Sequence, residues 1–204
     1  MADPTVSRLR LIRTTGIGPV TYRQLIARFG NAEAAIAALP MLAQRGGGRS
    51  PRIADVSVAE REIAATTRLG ARYLFLDDPD YPRLLAEIET APPALIFRGD
   101  IVHAARPCVA MVGARNASAA ACRFARQLAL QLAEEGTTIV SGLARGIDTA
   151  AHIGALGAGS AGATIGVIAS GIDIAYPPDN TALQERIATG GLLLAEQPPG
   201  TEPK

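Results

Sequence analysis

The second half of this chain sets out four short apolar runs in series, and that series limits the folds open to it. The runs are Cys108–Val112, Thr137–Val140, Ala163–Ala169 and Leu192–Ala195. Each ends in a turn rich in glycine, serine or proline, and helical stretches separate them. Near-continuous apolar strands are what a parallel sheet buried on both faces requires. Alternating strand and helix with right-handed crossovers predicts a doubly wound, mostly parallel sheet of the α/β class. Turns that follow parallel strands emerge together on the carboxyl edge, where ligands bind. The sequence therefore gathers Gly113–Ser118, Ser141–Gly146, Ser170–Asp173 and Glu196–Pro199 on one edge.

The most informative turn is Ser141-Gly142-Leu143-Ala144-Arg145-Gly146-Ile147-Asp148. Strand, glycine-rich turn and helix in succession point backbone N–H groups toward an anion. Gly142 and Gly146 lack a Cβ where a ligand must come close, and Arg145 adds a fork suited to phosphate. Asp148 is placed to cap the new helix, Ser118 the helix after the first turn, and Asn180 precedes a helix over 181–189. Asp173 reads as a turn residue of the third turn, beside Gly171. Phe124, Leu128 and Leu132 recur every four residues, which assigns them to one helix face.

Ahead of this lies a different pattern. Val6, Leu9 and Ile12 mark one helix, Thr15-Gly16-Ile17-Gly18-Pro19 a turn, and Val20–Phe29 a second helix. That arrangement is a helix-hairpin-helix, whose turn can offer N–H groups to a DNA phosphate or simply join two packed helices. A third helix is expected over Ala32–Leu39, a flexible break at Gly46–Pro51 and a fourth helix over Val58–Leu69. The predicted organisation is a helical domain over 1–70 and a sheet domain over 71–204. Net charge is only +1, but residues 1–72 hold eleven arginines against five acids, a net of +6. A basic first third points to a polyanionic partner.

Hydrophobic residues make up 48% of the chain and charged residues 19%, the balance of a globular protein. No apolar run reaches the ~18 residues of a membrane span, and no apolar signal core follows Met1. The expectation is a cytoplasmic protein with no membrane contact. Cys108 and Cys122 show no metal spacing and read as buried free thiols. Gly113-Ala114-Arg115 is not a dinucleotide fingerprint, and no P-loop, nucleophile elbow or metal-ligand spacing occurs. His152, on a helix, reads as a packing residue. The pattern supports a phosphate-rich ligand at the sheet edge, with no cofactor, no metal and no sign of an enzyme.

Val112-Gly113-Ala114-Arg115, the octet, Gly171-Ile172-Asp173 with Tyr176-Pro177-Pro178-Asp179-Asn180, and Glu196-Gln197-Pro198-Pro199-Gly200 together resemble the DNA-processing protein A family (DprA, also called Smf). The match runs in order from about residue 70 onward, and the leading helices are similar to the family's sterile-alpha-motif-like domain. The resemblance implies an extended Rossmann-like fold and sequence-independent binding of single-stranded DNA. It also implies loading of the RecA recombinase during natural transformation, and a homodimer. Arg115 would contact the DNA backbone or an unstacked base, Ser141, Gly142, Arg145 and Gly146 would shape the pocket floor, and Gly113 and Gly171 would complete the DNA- and phosphate-binding set. The family continues past Pro-Pro-Gly with a Phe-Pro-x-Arg-Asn-Arg segment, where this chain reads Gly200-Thr201-Glu202-Pro203-Lys204. The expectation is a truncated chain that binds DNA and dimerises more weakly than a longer one. A nucleotide-processing enzyme of the lysine-decarboxylase-like phosphoribohydrolase type is the alternative, although its Pro-Gly-Gly-x-Gly-Thr-x-x-Glu signature is missing.

Overall fold

The computed structural model describes residues 3–45, 51–159 and 163–203. The glycine run of the expected break, 46–50, lies outside the described residues.

Four helices come first: α1 (Pro4–Arg13), α2 (Pro19–Phe29), α3 (Ala32–Arg45) and α4 (Val56–Arg68). Local sequence sets their starts. Asp3 accepts from the Thr5 N–H at 2.9 Å, and Pro4 and Pro19 occupy first-turn positions where no donor is lost. Gly30 closes α2 at φ 82°. The third helix runs through Pro40 to Arg45, past the predicted stop at Leu39. An interior proline costs ~3 kcal/mol. Packing of Leu39 and Leu42 on the cluster of Leu11, Tyr22 and Leu25 offsets that cost.

The remainder builds one six-stranded sheet. Its strands are β1 (Arg72–Phe75), β2 (Ala94–Gly99), β3 (Cys108–Ala110), β4 (Thr138–Ser141), β5 (Ala163–Gly171) and β6 (Leu192–Gln197). The spatial order is β1-β2-β6-β5-β4-β3. From β6 to β3 all neighbours are parallel; β2 runs antiparallel to β6, and β1 antiparallel to β2. The short α5 (Arg83–Ala86) lies between β1 and β2, and α6 (Ala119–Glu134), α7 (Ile147–Leu156) and α8 (Thr181–Gly190) are the crossovers. Because β3 to β6 step one way across the sheet, right-handed crossovers place all three helices on one face. Leu193 and Ala195 of β6 meet Ile187 of α8 and Leu143 there, while Leu192 and Leu194 face Tyr81, Leu85 and Ile101 on the other side. Both faces of the central strands are thus covered.

Helix α6 departs from the sequence reading. Phe124 is 70% exposed and Leu128 lies at the surface, whereas Ala125, Ala129 and Ala133, one position along, are buried. The reason is α7. A Cβ added at Gly154 would come within 2.1 Å of the Arg126 carbonyl, so the two helices touch backbone to backbone. Only the alanine row fits so narrow a gap; hydrophobicity alone favours the bulkier row. The cysteines also differ from expectation: both are free, but Cys108 is exposed on edge strand β3 and Cys122 is half-buried.

The helical part is fastened to β1. Arg8 pairs with Asp77 at 2.7 Å and Asp78 at 2.8 Å, and its guanidinium lies over Phe75. Arg13 pairs with Glu62 at 2.6 Å, which also accepts from the Tyr73 hydroxyl. Arg10 donates to the Ala54 carbonyl, and Arg23 to those of Ala86 and Ile88. Of the eleven arginines of residues 1–72, Arg8 and Arg23 thus reach across to the sheet part, and Arg10 and Arg13 bind within the helical part.

Candidate nucleic-acid interface

The four parallel strands deliver the four turns to one edge. The first turn leans on the start of α7: the Ile147 N–H donates to the Ala114 carbonyl at 3.3 Å. Two glycines make that approach possible. A Cβ at Gly113 would meet the Ile147 side chain at 2.6 Å, and one at Gly146, where φ is 78°, would lie 2.2 Å from the Ala114 carbonyl oxygen.

The octet turn is braced from within. The Ser141 hydroxyl donates to the Met111 carbonyl at 2.7 Å. Leu143 holds a left-handed φ of 59°, which costs a non-glycine residue roughly 1–2 kcal/mol, and its side chain is buried. What keeps it there is Asn180, whose Nδ2 donates to the Leu143 carbonyl at 2.8 Å and to Thr149 Oγ1 at 2.9 Å. Thr149 in turn donates to the Ala144 carbonyl at 2.7 Å.

Asp148 corrects the sequence reading. It lies inside α7 rather than at its cap, is buried, and accepts from the N–H groups of Gly142 at 3.2 Å and Ala144 at 3.4 Å. The seat that the turn was expected to offer a phosphate is occupied by the chain's own carboxylate. Asn180 likewise stands at the cap position of α8 without capping it, because its amide is turned into the octet. Asp173 accepts from the Gly200 N–H at 2.8 Å and so ties the third turn to the fourth. Ser118 does meet its helix, accepting from the Ala121 N–H at 3.2 Å.

A cleft of ≈ 220 Å³ opens above this framework, lined among others by Arg115, Gly142, Ala144, Arg145, Tyr176 and Pro203. Of the expected binding residues, Arg115, Gly142 and Arg145 therefore reach the cleft. Gly113, Ser141, Gly146 and Gly171 do not line it. Gly171 is buried, donates to the Thr201 carbonyl, and its missing Cβ admits the Pro198 carbonyl. The two cations differ. Arg145 is paired with Asp179 at 3.0 Å, both well exposed, whereas Arg115 is exposed and makes no ion pair among the described residues. Tyr176 and Asp179 belong to a motif quoted for the family resemblance, but the sequence reading gave neither a role at the site. The one signal for them was a tyrosine followed by two prolines and an acid directly beyond the third turn.

His152 lies outside the cleft. It is fully buried, and its Nδ1 sits 2.7 Å from the Thr164 hydroxyl, which donates to the Ile139 carbonyl. Burial pulls its pKa down to about 4 against the opposing pull of Asp148, so the ring is neutral near pH 7. Among the described residues no group of His, Cys, Asp or Glu could hold a metal ion. No single helix there is long and apolar enough to cross a membrane.

The model of the DNA recombination-mediator protein A family matches residues 72–204, and that of the DprA-like N-terminal HHH domain matches residues 2–65. The chain belongs to the DNA recombination-mediator protein A family. Protein Smf of Synechocystis is 36% identical over 93% of this chain and 50% of its own length. DNA processing protein DprA of Streptococcus pneumoniae is 43% identical over 64% of this chain and 45% of its own. The solved pneumococcal DprA superposes with a TM-score of 0.66 at 37% identity, over 74% of this chain and 50% of that one. A DNA processing protein A from Helicobacter pylori, studied for its single-stranded DNA binding mode, superposes at 0.56 with 31% identity, over 65% of this chain and 59% of that one. The chain spans about half the length of the curated relatives it matches. In this family member the specific octet is a brace between turns, and the cleft above it is lined by Arg115, which makes no ion pair among the described residues.

Proposed function

We propose that this chain binds single-stranded DNA at the carboxyl edge of its sheet, without sequence preference and without catalysis. The observation that carries this reading is Arg115: an exposed guanidinium with no ion pair among the described residues, on the wall of a cleft whose floor is exposed Gly142. A forked cation beside bare backbone suits a phosphodiester, which carries charge but no sequence. Gly113, Ser141, Gly146 and Gly171 serve by setting the spacing of the turns. Asp148 fills the inner anion seat, so the phosphate meets side-chain cations above the octet. Membership of the family supports the wider reading that the bound strand is handed to a RecA-type recombinase during DNA uptake, by a cytoplasmic homodimer.

The test is the salt dependence of binding to a fluorescent oligo-dT. A phosphate contact on a single strand contributes about 0.7 to the slope of log affinity against log salt. Arg115→Ala is expected to lower that slope by about this amount and to weaken binding equally for all base compositions. Unchanged affinity and slope in a folded Arg115→Ala protein would remove the cleft as the binding site.

A further inference from the structure

We infer that Tyr176 is the stacking platform for one unstacked base, and that it gives the cleft its preference for single over double strands. The inference rests on the reading of the cleft as a DNA site and adds to it the group that meets the base. Phosphate contacts alone attract duplex and single strand alike. A ring that accepts a base face can be used only by a strand whose bases are free.

Three observations converge on this ring. Tyr176 is 56% exposed, whereas Tyr22 and Tyr81 are buried and Tyr73 stacks on Phe75. No aromatic ring or cation covers its face among the described residues. It lines the same cleft as Arg115 and Arg145, so a base on the ring leaves its flanking phosphates beside the guanidinia.

The segment that carries it is pinned on both sides. Ser170 Oγ donates to the Ile174 carbonyl at 2.8 Å, and the Ile174 N–H donates to the Gly171 carbonyl at 2.9 Å. Gln184 donates to the Ile172 carbonyl at 3.3 Å, and beyond the tyrosine Asn180 is anchored in the octet. A lone surface tyrosine needs no explanation. One presented from a backbone fixed by four hydrogen bonds, over an open cleft and beside a cation with no ion pair among the described residues, is preorganised to receive a flat apolar face. Ordering that occurs before the ligand arrives is not charged against affinity.

The chain has no tryptophan, which gives the test a clean signal. Tyr176→Trp should fluoresce alone and be quenched on adding oligo-dT, but not on adding an abasic oligomer of the same length. Tyr176→Ala and Tyr176→Leu should each lose roughly ten- to a hundredfold in oligo-dT affinity, the usual effect of removing one base stack, with an unchanged salt slope. Tyr176→Phe should bind as the parent does. Duplex affinity should be the same in all of them. If Arg115→Ala loses binding while Tyr176→Ala keeps it, the cleft stands as the site and the stacking role is overturned. If the unaltered chain binds duplex and single strand equally, the stacking role is likewise overturned. If it binds neither, the reading of the cleft falls, and the inference with it.

Discussion

Asn180 offers the sharpest check on how the octet is held. Its side-chain amide gives protons to the Leu143 carbonyl and to Thr149 Oγ1. Thr149 has already given its own proton to the Ala144 carbonyl, so the amide faces acceptors only. Asn180→Ala leaves a buried carbonyl unpaired and should cost about 1–3 kcal/mol. Asn180→Asp is closer in shape, yet should cost more, about 3–5 kcal/mol at pH 8, because it buries an uncompensated charge against oxygen atoms. The charged form being the disfavoured one, the folded-state pKa of the new carboxyl would stand above its unfolded value of ~3.9. Folding then takes up a proton, and the deficit grows as pH rises from 3.9 through the raised pKa. The assay is urea unfolding of parent and both variants at pH 5 and pH 8, read as the difference from parent at each pH. An Asp variant no less stable than the Ala variant at pH 8, or one whose deficit is independent of pH, would refute the donor role of the amide.

Three further outcomes follow from the same geometry. Asp179→Asn should free Arg145, raising oligo-dT affinity by up to about fivefold, the reach of an exposed ion pair, and steepening the salt slope; a fall in affinity would show that Asp179 helps the site. Gly146→Ala combines a left-handed backbone with a Cβ 2.2 Å from the Ala114 carbonyl and should cost about 2–6 kcal/mol in urea unfolding, whereas Gly136→Ala, at φ 82° with nothing within 4 Å, should cost about 1–2. His152 is held near pKa 4 in the folded state against 6.5 otherwise, so the unfolded chain binds more protons between those values. Stability should therefore fall as pH drops from about 6.5 to 4, by about 3 kcal/mol, and a His152→Gln variant should show a flatter pH profile.

The parallel strands, the carboxyl-edge turns and the helical lead were legible because each rests on local pattern: apolar runs, glycine at turns, and the helical spacing of Val6, Leu9 and Ile12. The same local logic misled where two residues compete for one role. Phe124 and Ala125 each begin a four-residue row on α6, and only the closeness of α7 selects the alanines. Asp148 next to a glycine-rich turn reads as a cap, and only the folded turn shows its carboxylate satisfying Gly142 and Ala144. Arg115 and Arg145 look alike in the sequence; Asp179, thirty-four residues from Arg145, pairs with Arg145, while Arg115 makes no ion pair among the described residues. The chain by itself determined which segments become strands and on which edge their turns meet, because hydrogen-bond geometry and side-chain period act over a few residues. The tertiary structure alone decided which donors and cations of that edge remain open to a ligand. Occupancy depends on groups that folding brings from distant positions, and sequence spacing carries no record of them.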